Sequence, residues 1–327
     1  RKTIIMNKRN ILCVIGTRPE VIKMAPIIWA LKQSSEFSTT VVNTAQHRSL
    51  LDDMLALFNI TPDIDMNIMR DAQPLSELTG NLFIGMSKII KPSYDFVIAQ
   101  GDTTTTFVTA MVAFYNKIPF GHVEAGLRTH DIYNPFPEEI NRVFAGHLAT
   151  LHFAPTDIEK RNLLQEKTPD SSIFVTGNTV IDSLHHWANK TTPLSINLPH
   201  NKKIVLLTLH RRESFGEPLI EMFSAFLDIV KKFPDIHIVY PVHPNPNVNE
   251  IAHKMLGQHP SITLLKPVQY DQFVELLKLS WIVCTDSGGI QEEAPALNKP
   301  LVILRAETER PLVVEMGMAK LAGTKKS

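Results

Sequence analysis

From end to end the chain alternates short, β-prone apolar runs with longer stretches of helical periodicity, and nearly every run stops at a polar or glycine-bearing loop. That alternation confines the fold to α/β architectures, because a strand rejoins its neighbour in parallel only through a crossover long enough to hold a helix. The runs are Ile11 to Ile15, Thr39 to Asn43, Phe96 to Ala99, Ile118 to Val123, His152 to Pro155 and Ile173 to Thr176. They resume with Ile204 to Thr208, Ile236 to Tyr240, Ile262 to Leu265, Trp281 to Thr285 and Leu301 to Leu304. Between the two series, Asn189 to Lys203 is polar, carries Pro193 and Pro199, and lacks sustained periodicity, which predicts a linker. The expected architecture is two doubly wound Rossmann-like domains, 1–190 and 191–327, facing a central cleft. Ligands of such sheets gather at the carboxyl ends of the strands.

A hydrophobic fraction of 44% over 327 residues supplies a core for each half. The 33 basic and 33 acidic residues balance, so there is no electrostatic footprint for nucleic acid or an anionic membrane. There is no apolar run of membrane-spanning length and no signal-peptide pattern, which makes the cytoplasm the expected location. Cys13 and Cys284 fall in predicted buried strands of different halves and read as small core residues. No His-Glu-x-x-His or Cys-x-x-Cys spacing occurs among the thirteen histidines and two cysteines, so no metal is expected. The dinucleotide fingerprint, the Walker A sequence and a serine nucleophile elbow are absent too, and no cofactor is expected.

Chemistry-bearing residues cluster after the strands. Arg18 and Lys23 follow the first; Gly101-Asp102 and four threonines follow Phe96 to Ala99; Glu124 and Arg128 follow Ile118 to Val123. Asp102 is either a helix N-cap or a functional carboxylate. Glu124, directly after an apolar strand, needs water or partners. Glu138 and Glu139, with Arg142 one turn on, read either as a helix start with an intrahelical ion pair or as site residues. In the second half His210 stands beside Arg211 and Arg212, a cationic group suited to an anion. Asp286-Ser287-Gly288-Gly289 reads as a strand end, a glycine turn and a helix start, where backbone N–H groups could seat a phosphate. Glu293, on the helix that follows, suits a ribose diol. The inventory describes a sugar-nucleotide site with acid/base equipment.

The words themselves carry a resemblance. Gly16-Thr17-Arg18-Pro19-Glu20, Thr44-Ala45-Gln46-His47-Arg48, Gly101-Asp102-Thr103-Thr104-Thr105, Gly121-His122-Val123-Glu124-Ala125-Gly126-Leu127-Arg128, Pro137-Glu138-Glu139, Gly177-Asn178-Thr179, His210-Arg211-Arg212-Glu213 and Asp286 to Pro295 resemble, in order, the bacterial non-hydrolysing UDP-N-acetylglucosamine 2-epimerases. The resemblance implies the two-domain GT-B fold. It also implies reversible conversion of UDP-N-acetylglucosamine to UDP-N-acetylmannosamine for cell-surface polysaccharide synthesis, through loss and re-addition of UDP. By resemblance, Asp102, Glu124 and Glu138 are the acid/base groups and His210 serves the departing UDP. Arg18, Lys23, Arg142, Arg211, Ser287, Gly288, Gly289 and Arg310 would bind phosphate or sugar, Glu293 the ribose, and Tyr270 or Phe273 the uracil. The partners implied are UDP-N-acetylglucosamine, UDP and a second subunit of a homodimer. Gln46 and His243 match a second, activating substrate site.

The family also continues for several tens of residues beyond the position of Ala322-Gly323-Thr324, so the resemblance implies missing C-terminal helices, weakened coupling of the domains and low or absent turnover for a chain ending at Ser327. Leu209 stands where the family has a small residue, and Ser49 and Ala72 stand where longer polar side chains are usual at the activating site. Alternatives are a hydrolysing epimerase that releases N-acetylmannosamine, a GT-B glycosyltransferase using the same donor, and a non-catalytic nucleotide-sugar-binding protein.

Overall fold

A computed structural model describes residues 8–45, 48–68, 73–211, 214–308 and 310–326, the side chains of 48–50 and 311 apart. The chain divides into two compact units, the first ending at Ser183 and the second beginning at Leu184.

In the first unit the strands are β1 (Arg9–Ile15), β2 (Phe37–Asn43), β3 (Ile64–Asp65), β4 (Phe96–Gln100), β5 (Phe120–Val123), β6 (Leu151–Ala154) and β7 (Ile173–Val175). They form one parallel sheet in the order β3-β2-β1-β4-β5-β6-β7. Its helices are α1 (Arg18–Gln33), α2 (Arg48–Leu57), α3 (Leu75–Ile89), α4 (Thr104–Tyr115), α5 (Glu138–Leu148), α6 (Asp157–Gln165) and α7 (Val180–Ala188), and the division between units falls inside the last. The order reverses between β1 and β4, which opens a crevice at their carboxyl ends.

The second unit repeats the plan. Strands β8 (Lys203–Thr208), β9 (Ile236–Pro241), β10 (Ile262–Leu265), β11 (Ile282–Thr285), β12 (Leu301–Ile303) and β13 (Ala319–Leu321) pair in parallel in the order β10-β9-β8-β11-β12-β13. Its helices are α8 (Glu217–Lys232), α9 (Pro246–Leu256), α10 (Tyr270–Leu279), α11 (Ile290–Ala296) and α12 (Pro311–Glu315). Here the switch point lies between β8 and β11.

Both sheets are fed by near-continuous apolar strands, as parallel sheets covered on two faces require. Leu12, Val14, Val97 and Ala99 pack with Leu82, Met86 and Val108 of the helices, and Val205, Leu207, Ile238 and Tyr240 with Phe223, Phe226 and Val248. Cys13 and Cys284 lie in the cores, where burial pushes each thiol up to about 12.

Each expected strand is present, and β3 and β13 are additional. These two are edge pieces of two and three residues, too short for a periodic signal. The fourth run begins at Phe120 and not at Ile118, because Lys117 turns the chain at φ 56° and Pro119 has no N–H to give a ladder. Pro26 sits inside α1 and cannot donate to the carbonyl of Ile22; Ser183 Oγ donates to that oxygen at 2.5 Å. Among the described residues no helix is long and apolar enough to cross a membrane.

Candidate active site

In the first unit the loops after β1, β4 and β5 converge on carboxylates. The turn after β1 is built by Glu20, which is 2% exposed and accepts hydrogen bonds from the amides of Gly16 (2.6 Å) and Thr17 (2.7 Å). Its other oxygen takes the hydroxyl of Thr103 at 2.5 Å, so one side chain ties the β1–α1 turn to the β4–α4 loop across the switch point. Burial pushes the Glu20 carboxyl above its usual range, and the hydrogen bonds from Thr103, Gly16 and Thr17 only partly oppose it. Gly16 fits there because it lacks a Cβ, which would stand 2.3 Å from Thr44 Oγ1 and 2.8 Å from Thr105 Oγ1.

Thr103, not Asp102, caps α4, accepting the amide of Thr106 at 3.2 Å, and the helix starts at Thr104. The Asp102 carboxylate is thereby left to Arg142, whose Nη2 donates to Oδ2. Arg142 also reaches Glu139 at 3.3 Å, the intrahelical pair expected from their spacing. Glu139 is 1% exposed and accepts the amides of Thr129 and His130 at 2.9 Å each, which closes the loop preceding α5. Glu138 is half-buried at the first position of α5. The main chain at Asp102 is held as well: Asn141 Nδ2 donates to its carbonyl at 3.0 Å, and His122 Nε2 donates to that of Gly101 at 2.7 Å. Burial pushes the His122 imidazole down to about 4, so it is neutral at physiological pH.

Glu124 follows β5 with φ 61°, a left-handed backbone uncommon for a residue with a side chain. It is 8% exposed, and its carboxylate accepts Lys23 Nζ at 2.6 and 2.8 Å, Asn178 Nδ2 at 3.0 Å and the Gln100 amide. Lys23, expected at a phosphate, thus faces a carboxylate, because a charge so deeply buried requires a counter-charge. Arg18 lies half-buried at the start of α1.

In the second unit, two loops meet where β8 and β11 end. Asp286, fully buried, accepts the amides of His210 (3.0 and 3.1 Å) and Arg211 (3.0 Å) and the Ser214 hydroxyl (3.3 Å), and His210 Nδ1 lies 3.2 Å from its Oδ1. The His210 side chain is 41% exposed. His243 is an exposed residue after β9, and its ring stacks on that of His210 at 5.9 Å between centroids. Burial, then the neighbouring His210, hold the His243 imidazole below its usual range.

Of the expected phosphate turn, Ser287 donates its amide to Thr285 Oγ1 at 2.9 Å, so that N–H closes the turn. Gly289 has right-handed helical dihedrals, and a Cβ there would meet nothing within 4 Å, so the turn is open to an approaching group. Glu293 is 6% exposed on α11 and accepts the Tyr270 hydroxyl at 2.7 Å. Tyr270, expected against uracil, is itself 4% exposed, whereas Phe273 on the next positions of α10 is half-buried. Arg310 Nε donates to Glu292 at 2.5 Å. Gln46, Ala72, Arg212, Glu213 and Glu309 lie outside the described residues, and Arg211 is half-buried. Among the described residues no group of three His, Cys, Asp or Glu is placed to hold a metal ion.

Asp286 and Glu20 were not singled out from the sequence. The signal was available for Asp286, since it follows a buried strand just as Glu124 does.

Two doubly wound parallel units with polar clusters at their switch points define the GT-B class of fold. The UDP-N-acetylglucosamine 2-epimerase family model matches residues 29–327. The UDP-N-acetylglucosamine 2-epimerase of Escherichia coli K12 is 49% identical over 97% of this chain and 87% of its own length, and that of Bacillus subtilis 168 is 49% identical over 98% and 84%. A crystal structure of the Neisseria meningitidis UDP-GlcNAc 2-epimerase bound to UDP-GlcNAc superposes with a TM-score of 0.89 at 44% identity, covering 97% of this chain and 88% of that one. The chain belongs to the UDP-N-acetylglucosamine 2-epimerase family.

Proposed function

We propose that the protein is an isomerase that interconverts UDP-N-acetylglucosamine and UDP-N-acetylmannosamine without net hydrolysis, its product feeding surface-polysaccharide synthesis. The C2 proton is too weakly acidic for simple removal and return. In the proposed route a base takes it as the C1–O bond to UDP breaks, giving 2-acetamidoglucal; a proton then adds to the opposite face of C2 and the UDP oxygen returns to C1. Two faces need two proton-handling groups, and Asp102, Glu124 and Glu138 are the candidates. The observation that carries this reading is Glu124: a carboxylate buried at a strand end on a left-handed backbone and paired with Lys23, beside a second strand end that presents Asp102 to Arg142.

The division of labour we infer runs at 190/191. The first part supplies proton transfer, with Arg18 toward phosphate. The second supplies the turn 287–289 for diphosphate, Glu293 for ribose, Phe273 for uracil and His210 for the leaving oxygen. Arg142 acts by orienting Asp102.

The test is proton NMR of UDP-N-acetylglucosamine incubated in heavy water with the full chain. Deuterium at C2 together with UDP-N-acetylmannosamine is expected; free N-acetylmannosamine accumulating with UDP would instead establish a hydrolysing enzyme, and unchanged substrate that binds would establish a sensor.

A homodimer is proposed on separate grounds. Helices α3, α4 and α5 leave Ile84 (61%), Phe114 (58%), Tyr115 (65%) and Phe144 (45%) exposed, more apolar surface than solvent-facing helices usually carry. Sedimentation velocity should give twice the chain mass, and Tyr115→Glu should return the monomer. Activation by a second substrate molecule near His243 would appear as sigmoidal kinetics lost in His243→Ala.

A further inference from the structure

Four hydrogen-bond donors of one short loop point at a single buried carboxylate that belongs to another. The backbone N–H groups of His210 and Arg211, the hydroxyl of Ser214 and the imidazole Nδ1 of His210 all reach Asp286, whose side chain is 0% exposed. The direction of each bond is set, because a carboxylate can only accept and Nδ1 must therefore carry the proton. The loop is pinned on both sides. Tyr240 donates its hydroxyl to the Leu209 carbonyl at 3.0 Å, and Thr208 Oγ1 donates to Thr285 Oγ1 at 2.6 Å, the atom that also receives the Ser287 amide. The His210 ring is therefore bound at Nδ1 and covered on one face by His243, and its Nε2 is directed away from Asp286.

We propose that Asp286 is a positioning residue for His210: it fixes the proton on Nδ1, balances the charge of the imidazolium, and so presents Nε2–H to the diphosphate oxygen that receives the electron pair of the breaking C1–O bond. This rests on the elimination reading above. On UDP return the same N–H remains in place while the oxygen lone pair re-forms the bond, so no net proton is consumed. Burial pushes the Asp286 carboxyl up, but the hydrogen bonds from His210 and Arg211 outweigh it and hold the group below its usual range, consistent with an ionised acceptor for these donors. The titratable groups facing His210 among the described residues are Asp286 after β11, His243 after β9 and Arg211 in its own loop, with the Tyr240 phenol behind it. Among them only Asp286 is an acceptor-only carboxylate.

The experiment is ¹⁵N histidine spectroscopy of the full chain across pH, with steady-state kinetics, for wild type and Asp286→Asn. In the wild type the neutral His210 ring should be the Nδ1–H tautomer. In Asp286→Asn kcat should fall about 10- to 100-fold with KM within threefold. A neutral wild-type ring protonated at Nε2 overturns the proposal, as does a variant whose kcat stays within threefold or whose kcat and UDP affinity fall together, the mark of a merely structural clamp. If Asp286→Asn does not fold, the wild-type tautomer decides. A wild type that makes no epimer sinks the proposed function, and the spectra then decide the assignment of Asp286 by themselves.

Discussion

At the switch point of the first unit Glu20 gathers the amides of Gly16 and Thr17 and the hydroxyl of Thr103; at that of the second, Asp286 gathers the amides of His210 and Arg211 and the hydroxyl of Ser214. The plan is the same: a buried carboxylate ties the loop after the first strand of the unit to the loop after the fourth. The difference is one side chain. The Gly16 and Thr17 amides and the Thr103 hydroxyl that Glu20 accepts are neutral, and burial drives its carboxyl upward; Asp286 also faces an imidazole, and its carboxyl moves downward. A carboxylate bonded only to backbone and hydroxyls holds a turn in shape, whereas one bonded to an exposed histidine also sets that histidine's proton.

Removing each group should separate these roles. Glu20→Ala strands the Gly16 and Thr17 amides and Thr103 in the interior, at a cost of about 3–5 kcal/mol. Urea denaturation followed by circular dichroism should show it, and the ¹⁵N spectrum of His210 should not move. If Glu20→Ala does shift His210, the two carboxylates are not independent and the comparison fails.

The glycines beside them form a second contrast. Gly16 is enclosed by its own protein, so Gly16→Ala forces Thr44 and Thr105 apart and should cost about 1–3 kcal/mol in thermal or urea unfolding. Gly289 is open and right-handed, so Gly289→Ala should leave stability within about 0.5 kcal/mol. If the turn seats a diphosphate, the same methyl should weaken UDP at least tenfold by calorimetry. Unchanged affinity would remove 287–289 from the binding site.

The same asymmetry explains what could be read from the chain. Strands such as Ile204 to Thr208 were legible because a covered parallel strand is apolar at every position, and β3 and β13 were not because two or three edge residues carry no pattern. Glu124 was legible because a carboxylate directly after a buried strand needs an explanation. Its partners were not, since Lys23 lies 101 residues away in sequence and spacing says nothing about which cation folds onto it. Thr103 displaced Asp102 as cap because several consecutive threonines offer equivalent hydroxyls, and only the backbone path chooses among them. Tyr270 read as a stacking ring, while its hydroxyl, bonded to Glu293, is what the fold uses.

That hydroxyl gives a smaller effect. Tyr270→Phe keeps the ring and removes one bond to a buried carboxylate, so Glu293 should be less well held. UDP affinity should drop about 5- to 15-fold, near 1–1.5 kcal/mol, with little loss of stability. A tenfold loss for UDP with no loss for inorganic diphosphate would locate the effect at the nucleoside; equal losses for both would show that Glu293 acts through the turn.

The finest test of the comparison uses only the sign of a slope. A carboxyl whose folded value is raised, as for Glu20, contributes stability that is fully present below its unfolded value near 4.5 and is lost as pH rises through the folded value. One whose folded value is depressed, as for Asp286, contributes stability that is present above its unfolded value near 3.8 and is lost as pH falls through the folded value. Unfolding free energies of wild type minus Glu20→Gln should therefore decline as pH rises above 4.5, by no more than about 1.4 kcal/mol per pH unit. Wild type minus Asp286→Asn should decline in the other direction, as pH falls below 3.8. Each amide adds a constant offset from its own hydrogen bonds, which leaves the slopes untouched. Parallel slopes for the two pairs would mean that the imidazole makes no electrostatic difference between otherwise similar ties, and the separation between a carboxylate that shapes a turn and one that sets a proton would collapse.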